Sequence, residues 1–273
     1  MAGGRRSLNG RRIELDGFDA YYEERGSGLP LILIHGLGGS TAMWQKVVDP
    51  LSKRYRVIAY DLRGLGQSGT PDPQYSMAVL VGDLRDLTKS LALESFALVG
   101  HSLGGAIALA YAAEHPKLVR ALVGVAAPSS TPLEQRAQLE ARADSARRDG
   151  MGVIADLHVR NGLPEDFVQA HPVDVATYRS IIAASDPEGY AAHCGVIAEL
   201  DLTGELGGIR TPTLLLQGEL DGVVPAAAVR ATAAAIAGCE YVELEGCGHV
   251  VPFERPSELT ERVPEHLGQL VQQ

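Results

Sequence analysis

Short apolar runs alternate along the chain with longer stretches whose apolar residues recur at helical spacing. "LPLILIHG" (29–36), "YRVIAYD" (55–61), "SFALVG" (95–100), "VRALVGVAA" (119–127) and "TPTLLLQG" (211–218) are near-continuous apolar runs. Such runs read as strands buried on both faces. "FDAYYEERG" (18–26) and "EYVELEG" (240–246) read as two more strands, with "RRIEL" (11–15) pairing beside the first. Between them, "SMAVLVGDLRDLTKSLAL" places Leu80, Leu84, Leu87 and Leu91 on one helical face. "TAMWQKVVDPLSK", "GGAIALAYAAEHP", "AAAVRATAAAIAG" and "PSELTERVPEHLGQLV" read as further helices, the last kinked or split at Pro264. Strands alternating with helices predict a mostly parallel, doubly wound α/β sheet covered on both faces.

The alternation stops between about 128 and 206. That segment is more polar and includes "EQRAQLEARADSARRDG", which reads as a charged helix. It predicts a helical cap, residues 128–206, inserted into a core formed by 1–127 and 207–273. In open parallel sheets, ligands bind beyond the carboxyl ends of the strands. Chemistry is therefore expected just after "LILIH", "ALVG", "LLLQG" and "VELEG".

Composition narrows the picture. The formal charge of −10 disfavours a phosphate backbone, so no nucleic-acid partner is expected. No run approaches 18 apolar residues, which disfavours a membrane span. The four arginines of residues 1–12 have no apolar stretch after them and read as a solvated tail rather than an export signal. A cytoplasmic protein is expected, and a homo-oligomer is compatible with the sequence. Three scattered cysteines form neither a disulfide framework nor a metal site.

Gly100-His101-Ser102-Leu103-Gly104 is a G-x-S-x-G motif between a strand and a helix, the context that this motif needs. Glycine on both sides suits a serine on a strained corner, where side chains would collide. A serine hydroxyl needs a base to become a nucleophile. His249 follows the last strand and Asp221 follows the strand before it, which yields the chain order Ser102, Asp221, His249. An oxyanion needs preorganised donors. The N–H groups of Leu103, after the serine, and Leu37, in "HGLGGS", are the candidates. Gly36, His101 and Arg160 are candidate substrate contacts, with a solvated cap arginine the commoner reading of Arg160. His35 is expected to fix the loop at 36–40, and His101 to point away from the base. His115, His158, His171, His193 and His266 are expected to be structural, and Asp61, Asp83 and Asp86 to cap or lie in solvent. Cys247 is expected to be a small buried residue.

"HGLGGS", "YDLRGLGQS", "GHSLGG", "GELDGVVP" and "GCGHVVPFERP" together resemble the α/β-hydrolase superfamily. The resemblance runs from about residue 18 to the C-terminus. The stretch "SDPEGYAAHCGVIAELDLTGELGGIRTPTLLLQGELDGVVP" is similar to 3-oxoadipate enol-lactonases, cofactor-free hydrolases that open a small acidic lactone. The resemblance implies an α/β-hydrolase fold and a Ser102–His249–Asp221 triad with the oxyanion on Leu37 and Leu103. It also implies hydrolysis of a small ester or lactone, with no cofactor and no metal. The sequence departs from the enol-lactonases in two places. It has His35-Gly36-Leu37-Gly38 where they carry an Asn-Ser-Leu-Gly type of loop, and Asn161-Gly162 after Arg160 where they carry aromatics. Three alternatives stay open: C–C bond hydrolysis, peracid formation on the same triad, or a non-catalytic receptor. Haloalkane dehalogenation is disfavoured because position 102 is not an aspartate.

Overall fold

Eight strands form one sheet: β1 (Asn9–Leu15), β2 (Phe18–Arg25), β3 (Pro30–Ile34), β4 (Arg56–Tyr60), β5 (Phe96–His101), β6 (Val119–Val125), β7 (Thr213–Gly218) and β8 (Glu240–Leu244). Their spatial order is β1-β2-β4-β3-β5-β6-β7-β8. β1 pairs antiparallel with β2, and β2 antiparallel with β4. All other pairings are parallel. The computed structural model describes residues 9–71 and 75–268.

The central strands are continuously apolar because helices cover both faces. Every residue of β5 and β7 is buried, and β3 and β4 are buried apart from their first residues. The covering helices are α1 (Val48–Leu51), α2 (Met77–Ser90) and α3 (Leu103–Glu114), then α9 (Ala226–Ala235), α10 (Val251–Glu254) and α11 (Pro256–Gly268) in the later half. α3 is buried along almost its whole length, which explains why it is Ala-rich rather than amphipathic.

Between β6 and β7 the chain forms five helices and no strand: α4 (Leu133–Asp149), α5 (Met151–Gly162), α6 (Glu165–Ala170), α7 (Pro172–Ala183) and α8 (Pro187–Ala198). The two ends of this excursion are tied together. Leu202 N–H donates to Ser129 O at 2.7 Å, and Thr131 N–H donates to Leu200 O at 2.9 Å. α4 lies along α8, and α5 along α7. Lys46 anchors the group to the core by an ion pair to Asp174 at 2.6 Å, and the Ser185 hydroxyl donates to Gly38 O at 2.7 Å.

Three local expectations change. "TAMWQKVVDPLSK" is not one helix but a 3-10 turn (Thr41–Trp44) followed by the four-residue α1. Residues 9–12 of the arginine-bearing start belong to β1, paired residue by residue with β2; residues 1–8 lie outside those described. α11 runs through Pro264 to Gly268 without splitting, held by the buried Leu259, Val263 and Leu267 on one face. Residues 269–271 of the predicted last helix lie outside the described residues. Among the described residues no helix is long and apolar enough to cross a membrane.

Candidate active site

β5 ends at His101 and α3 begins at Leu103, leaving Ser102 to turn the corner alone. Its backbone sits at φ 53°, ψ −117°, a region that L-residues occupy only under strain. The corner is locked from both sides, with Ser102 N–H donating to Val125 O at 2.8 Å and Ser102 O accepting from Ala106 at 3.0 Å. The flanking glycines are sterically required. A Cβ on Gly100 would lie 2.2 Å from Gly104 O, and one on Gly104 would lie 2.2 Å from Ile34 O.

Asp221 and His249 arrive from the loops after β7 and β8. His249 Nδ1 and Asp221 Oδ2 are 2.8 Å apart, and the Asp221 side chain is shut off from solvent. The other oxygen, Oδ1, accepts from Val223 N–H at 2.8 Å and Val224 N–H at 2.9 Å. Burial pushes the Asp221 carboxyl upward, but the charge and hydrogen bond of His249, with those two N–H donors, outweigh it and hold it below the usual carboxylate range. An ionised carboxylate can only accept, so Nδ1–H donates to Asp221.

Ser102 and His249 line one cavity of about 310 Å³, together with Gly36, Leu37, His101 and Leu103. Among the described residues, the Ser102 hydroxyl has no hydrogen-bond partner. Nor has the N–H of Leu37 or that of Leu103. Gly36 passes so close that a Cβ there would sit 3.1 Å from Ser102 Cβ. His35 holds this loop with both ring nitrogens. Nε2 accepts from Leu62 N–H at 3.0 Å, and Nδ1 is 2.8 Å from Gly36 O.

Two expectations are corrected here. Arg160 is exposed on α5 and takes no part in the cavity wall; the helix turns it outward while Leu157, His158 and Asn161 face in. His101 does not point away from His249. The two rings lie 4.8 Å apart, and His101 Nε2–H donates to His249 O at 2.9 Å. Burial first, then the neighbouring His249, lowers the His101 pKa to about 3, so its ring is neutral. Capping or solvent is the expectation for Asp61 and Asp83; both side chains are buried, and Asp61 takes the capping role. Asp61 caps the "YDLRGLGQS" loop, accepting from Thr41 N–H at 2.6 Å and Gln67 N–H at 2.7 Å, and burial lifts its pKa to about 6. Asp83 forms a buried ion pair with Arg63.

Several site neighbours carry no motif. Gln217 donates to Asp221 Oδ2 at 3.1 Å and to Val224 O at 3.0 Å. Its signal is a polar residue inside the apolar run "TLLLQG". Glu254 accepts from the N–H groups on either side of His249, Gly248 at 2.7 Å and Val250 at 2.8 Å. It too is a lone carboxylate in an apolar stretch, "HVVPFE". His249 N–H itself donates to Gly162 O at 2.8 Å, so the Asn161-Gly162 pair packs directly on the His249 loop. His158, read from sequence as structural, lines the cavity between two tyrosines, with Nε2 2.8 Å from the Tyr190 hydroxyl and Nδ1 3.2 Å from that of Tyr178. Cys247 is fully buried. Among the described residues no group of three His, Cys, Asp or Glu side chains is arranged to hold a metal ion.

Residues 30–256 match the alpha/beta hydrolase fold family. The enol-lactonase of Burkholderia xenovorans LB400 superposes with a TM-score of 0.90 at 31% identity, over 94% of this chain and 100% of that one. A thermophilic esterase from Thermogutta terrifontis superposes with a TM-score of 0.90 at 29% identity, over 95% of this chain and 99% of that one. Pyrrolizixenacetamide deacetylase of Xenorhabdus hominickii is 29% identical over 237 residues, 85% of this chain and 88% of its own length.

Proposed function

The chain belongs to the α/β-hydrolase family, and on that premise we propose that it is a serine hydrolase acting on small carboxylic esters or lactones through an acyl-enzyme. The observation that carries this reading is the corner at Ser102. A strained serine faces a cavity that also holds the His249 ring, and that ring is tied to the shielded Asp221 at 2.8 Å.

In this reading, Ser102 Oγ attacks the substrate carbonyl while His249 Nε2 takes its proton. The Ser102 hydroxyl makes no hydrogen bond among the described residues, and catalytic hydrogen bonds in unliganded enzymes often form only with substrate. Asp221 keeps the imidazole in the tautomer with a bare Nε2 and stabilises the imidazolium. The unpartnered N–H groups of Leu37 and Leu103 receive the oxyanion, each contributing about 3 kcal/mol to the transition state. His249 returns the proton to the leaving oxygen, then activates the water that releases the acid. The helices of residues 128–206 serve as the cap that selects acyl and alcohol groups. The enol-lactonase and esterase resemblances support an ester or lactone bond as the one cut.

The test is twofold. Ser102→Ala should abolish turnover of p-nitrophenyl acetate while leaving the circular dichroism spectrum intact, and a fluorophosphonate should label Ser102 stoichiometrically. Retained turnover in Ser102→Ala overturns the mechanism. Ligand binding with no turnover across a broad ester panel identifies a receptor instead.

A further inference from the structure

The cavity wall is polar at several points, and at one of them the direction of the hydrogen bond is fixed. Gln135, Gln138 and Asn161 bring amides to the lining, each of which presents either a donor or an acceptor. Arg142, His158 and Tyr178 line it too. With Tyr190 they form a row whose protons have one arrangement.

The arrangement starts at the charged end. The Arg142 guanidinium hydrogen-bonds the Tyr190 hydroxyl. A guanidinium only donates, so the Tyr190 oxygen accepts there. The Tyr190 proton then has two neighbours, His158 Nε2 at 2.8 Å and the Cys194 thiol. Burial pushes that thiol up to about 12, so it keeps its proton and stays a weak acceptor. The imidazole nitrogen is the stronger acceptor, and Tyr190 O–H donates to it. His158 is neutral near pH 7, because burial, and after it the charge of Arg142, lowers its pKa to about 3. A neutral imidazole has one N–H. With Nε2 accepting, that proton is on Nδ1, which donates to the Tyr178 hydroxyl at 3.2 Å. The Tyr178 side chain is buried, and among the described residues its own O–H has no acceptor. Leaving such a donor unmet costs free energy that a ligand acceptor recovers.

The row spans the site. Its Tyr190 end packs on the loop that carries Leu37, where a Cβ on Gly38 would lie 3.0 Å from the Tyr190 ring. Its Tyr178 end stands beside the base. A Cβ on Gly162 would lie 3.8 Å from His249 Cβ and 3.9 Å from the Tyr178 hydroxyl. In the mechanism above, the oxyanion lies against Leu37 and the leaving oxygen against His249. The part of a substrate that meets Tyr178 is therefore its alcohol half.

We propose that the Tyr178 hydroxyl is a preset donor to an acceptor oxygen in the alcohol half of the substrate, so that the cavity favours alcohols bearing an ether, hydroxyl or carbonyl oxygen over purely alkyl ones. The choice of half rests on the serine-hydrolase reading; the donor itself does not. A site built to hydrogen-bond a substrate group discriminates against the analogue that lacks it.

Two matched pairs of esters test this. 2-Methoxyethyl acetate and butyl acetate differ by one ether oxygen in place of a methylene in the alcohol half. Methyl methoxyacetate and methyl butanoate make the same exchange in the acyl half. Tyr178→Phe should lower the 2-methoxyethyl to butyl ratio of kcat/KM by about three- to tenfold, the worth of one hydrogen bond. The ratio for the acyl pair should stay as in the wild type, and intrinsic reactivity cancels between the two proteins. An equal loss on all four esters, or an acyl ratio that moves as far as the alcohol ratio, overturns the proposal and leaves the esterase reading standing. Nitrogen-15 spectra of histidine-labelled protein read the row without turnover. His158 should carry its proton on Nδ1; a proton on Nε2 reverses the row and overturns the proposal. If none of the esters turns over, titration of the two acetates into the wild-type protein takes the place of kinetics. A preference for the 2-methoxyethyl ester that Tyr178→Phe removes sustains the donor while the hydrolase reading fails, and no preference overturns both.

Discussion

At the rim of the sheet, backbone is packed on backbone; in the helices above it, side-chain hydrogen bonds make many of the contacts. A Cβ on Gly218 would lie 1.9 Å from Gly248 O, and one on Gly104 would lie 2.2 Å from Ile34 O. In the helices above, Gly152 of α5 and Gly195 of α8 have nothing within 4 Å of where a Cβ would be, whereas Gly189, where α8 meets the core loop, would put one 1.9 Å from Gly64 O. Above the rim, His158 spans the hydroxyls of Tyr178 and Tyr190, and the Ser185 hydroxyl reaches Gly38 O. The rim therefore sets the relative placement of Ser102, Asp221 and His249 by main-chain geometry that no conservative substitution preserves. The helices between β6 and β7 present exchangeable side chains, as the substrate-selecting role proposed for them requires.

The largest test of the contrast is Asp221→Asn. Shape is nearly kept, but the amide no longer fixes the His249 tautomer, so kcat should fall about 10⁴-fold. Near-normal ester turnover by a folded Asp221→Asn protein would remove the rim from the mechanism.

Next come two alanine replacements of opposite sign. Gly104→Ala should destabilise by about 1–3 kcal/mol or more, because the blocking atom is a strand carbonyl that cannot move aside. Gly152→Ala, inside α5 and unobstructed, should stabilise by about 0.5–1 kcal/mol. Urea midpoints shifting in the same direction for both would contradict the contrast drawn between the crowded Gly104 and the open Gly152.

A third measurement reads both regions together. Burial lowers the pKa of His35 and His193 to about 4 and of His101 and His158 to about 3. The unfolded chain binds these protons at about pH 6.5, the folded chain only well below that. Stability is therefore full above pH 6.5 and falls as pH drops through 6.5 toward 4 and 3. The slope is at most about 1.4 kcal/mol per histidine per pH unit. Unfolding midpoints at pH 7.5 and pH 5 check this, and an unchanged midpoint refutes it. The smallest effect expected is that of Tyr178→Phe, which removes one hydrogen bond to His158 and should cost about 1 kcal/mol. A loss of several kcal/mol would mean the cap is as rigid as the rim.

The corner at 102 was legible because its requirements are local. A strand, a serine between glycines and a helix lie within a few consecutive residues. Asp221 and His249 were legible because an α/β pattern assigns the strand ends before any contact is known, and the structure brings these two into contact. Gln217 and Glu254 were not, since each acts on a main-chain or side-chain group placed by another loop, and a polar residue in an apolar run does not name its partner. Arg160 shows the limit in the cap. Sequence placed it in the helical segment 128–206 but could not say which way it faced.

By itself the sequence determined the alternation of strands and helices, the excursion between β6 and β7, and the strained serine corner. These follow from side-chain periodicity and from steric limits within a few residues. The tertiary structure alone decided that Arg142 and His158 face the cavity while Arg160 faces solvent, and that Gly162 and Glu254 grip the His249 loop. The rotation of a helix and the approach of two distant loops are set by packing against neighbours, and no local pattern encodes them.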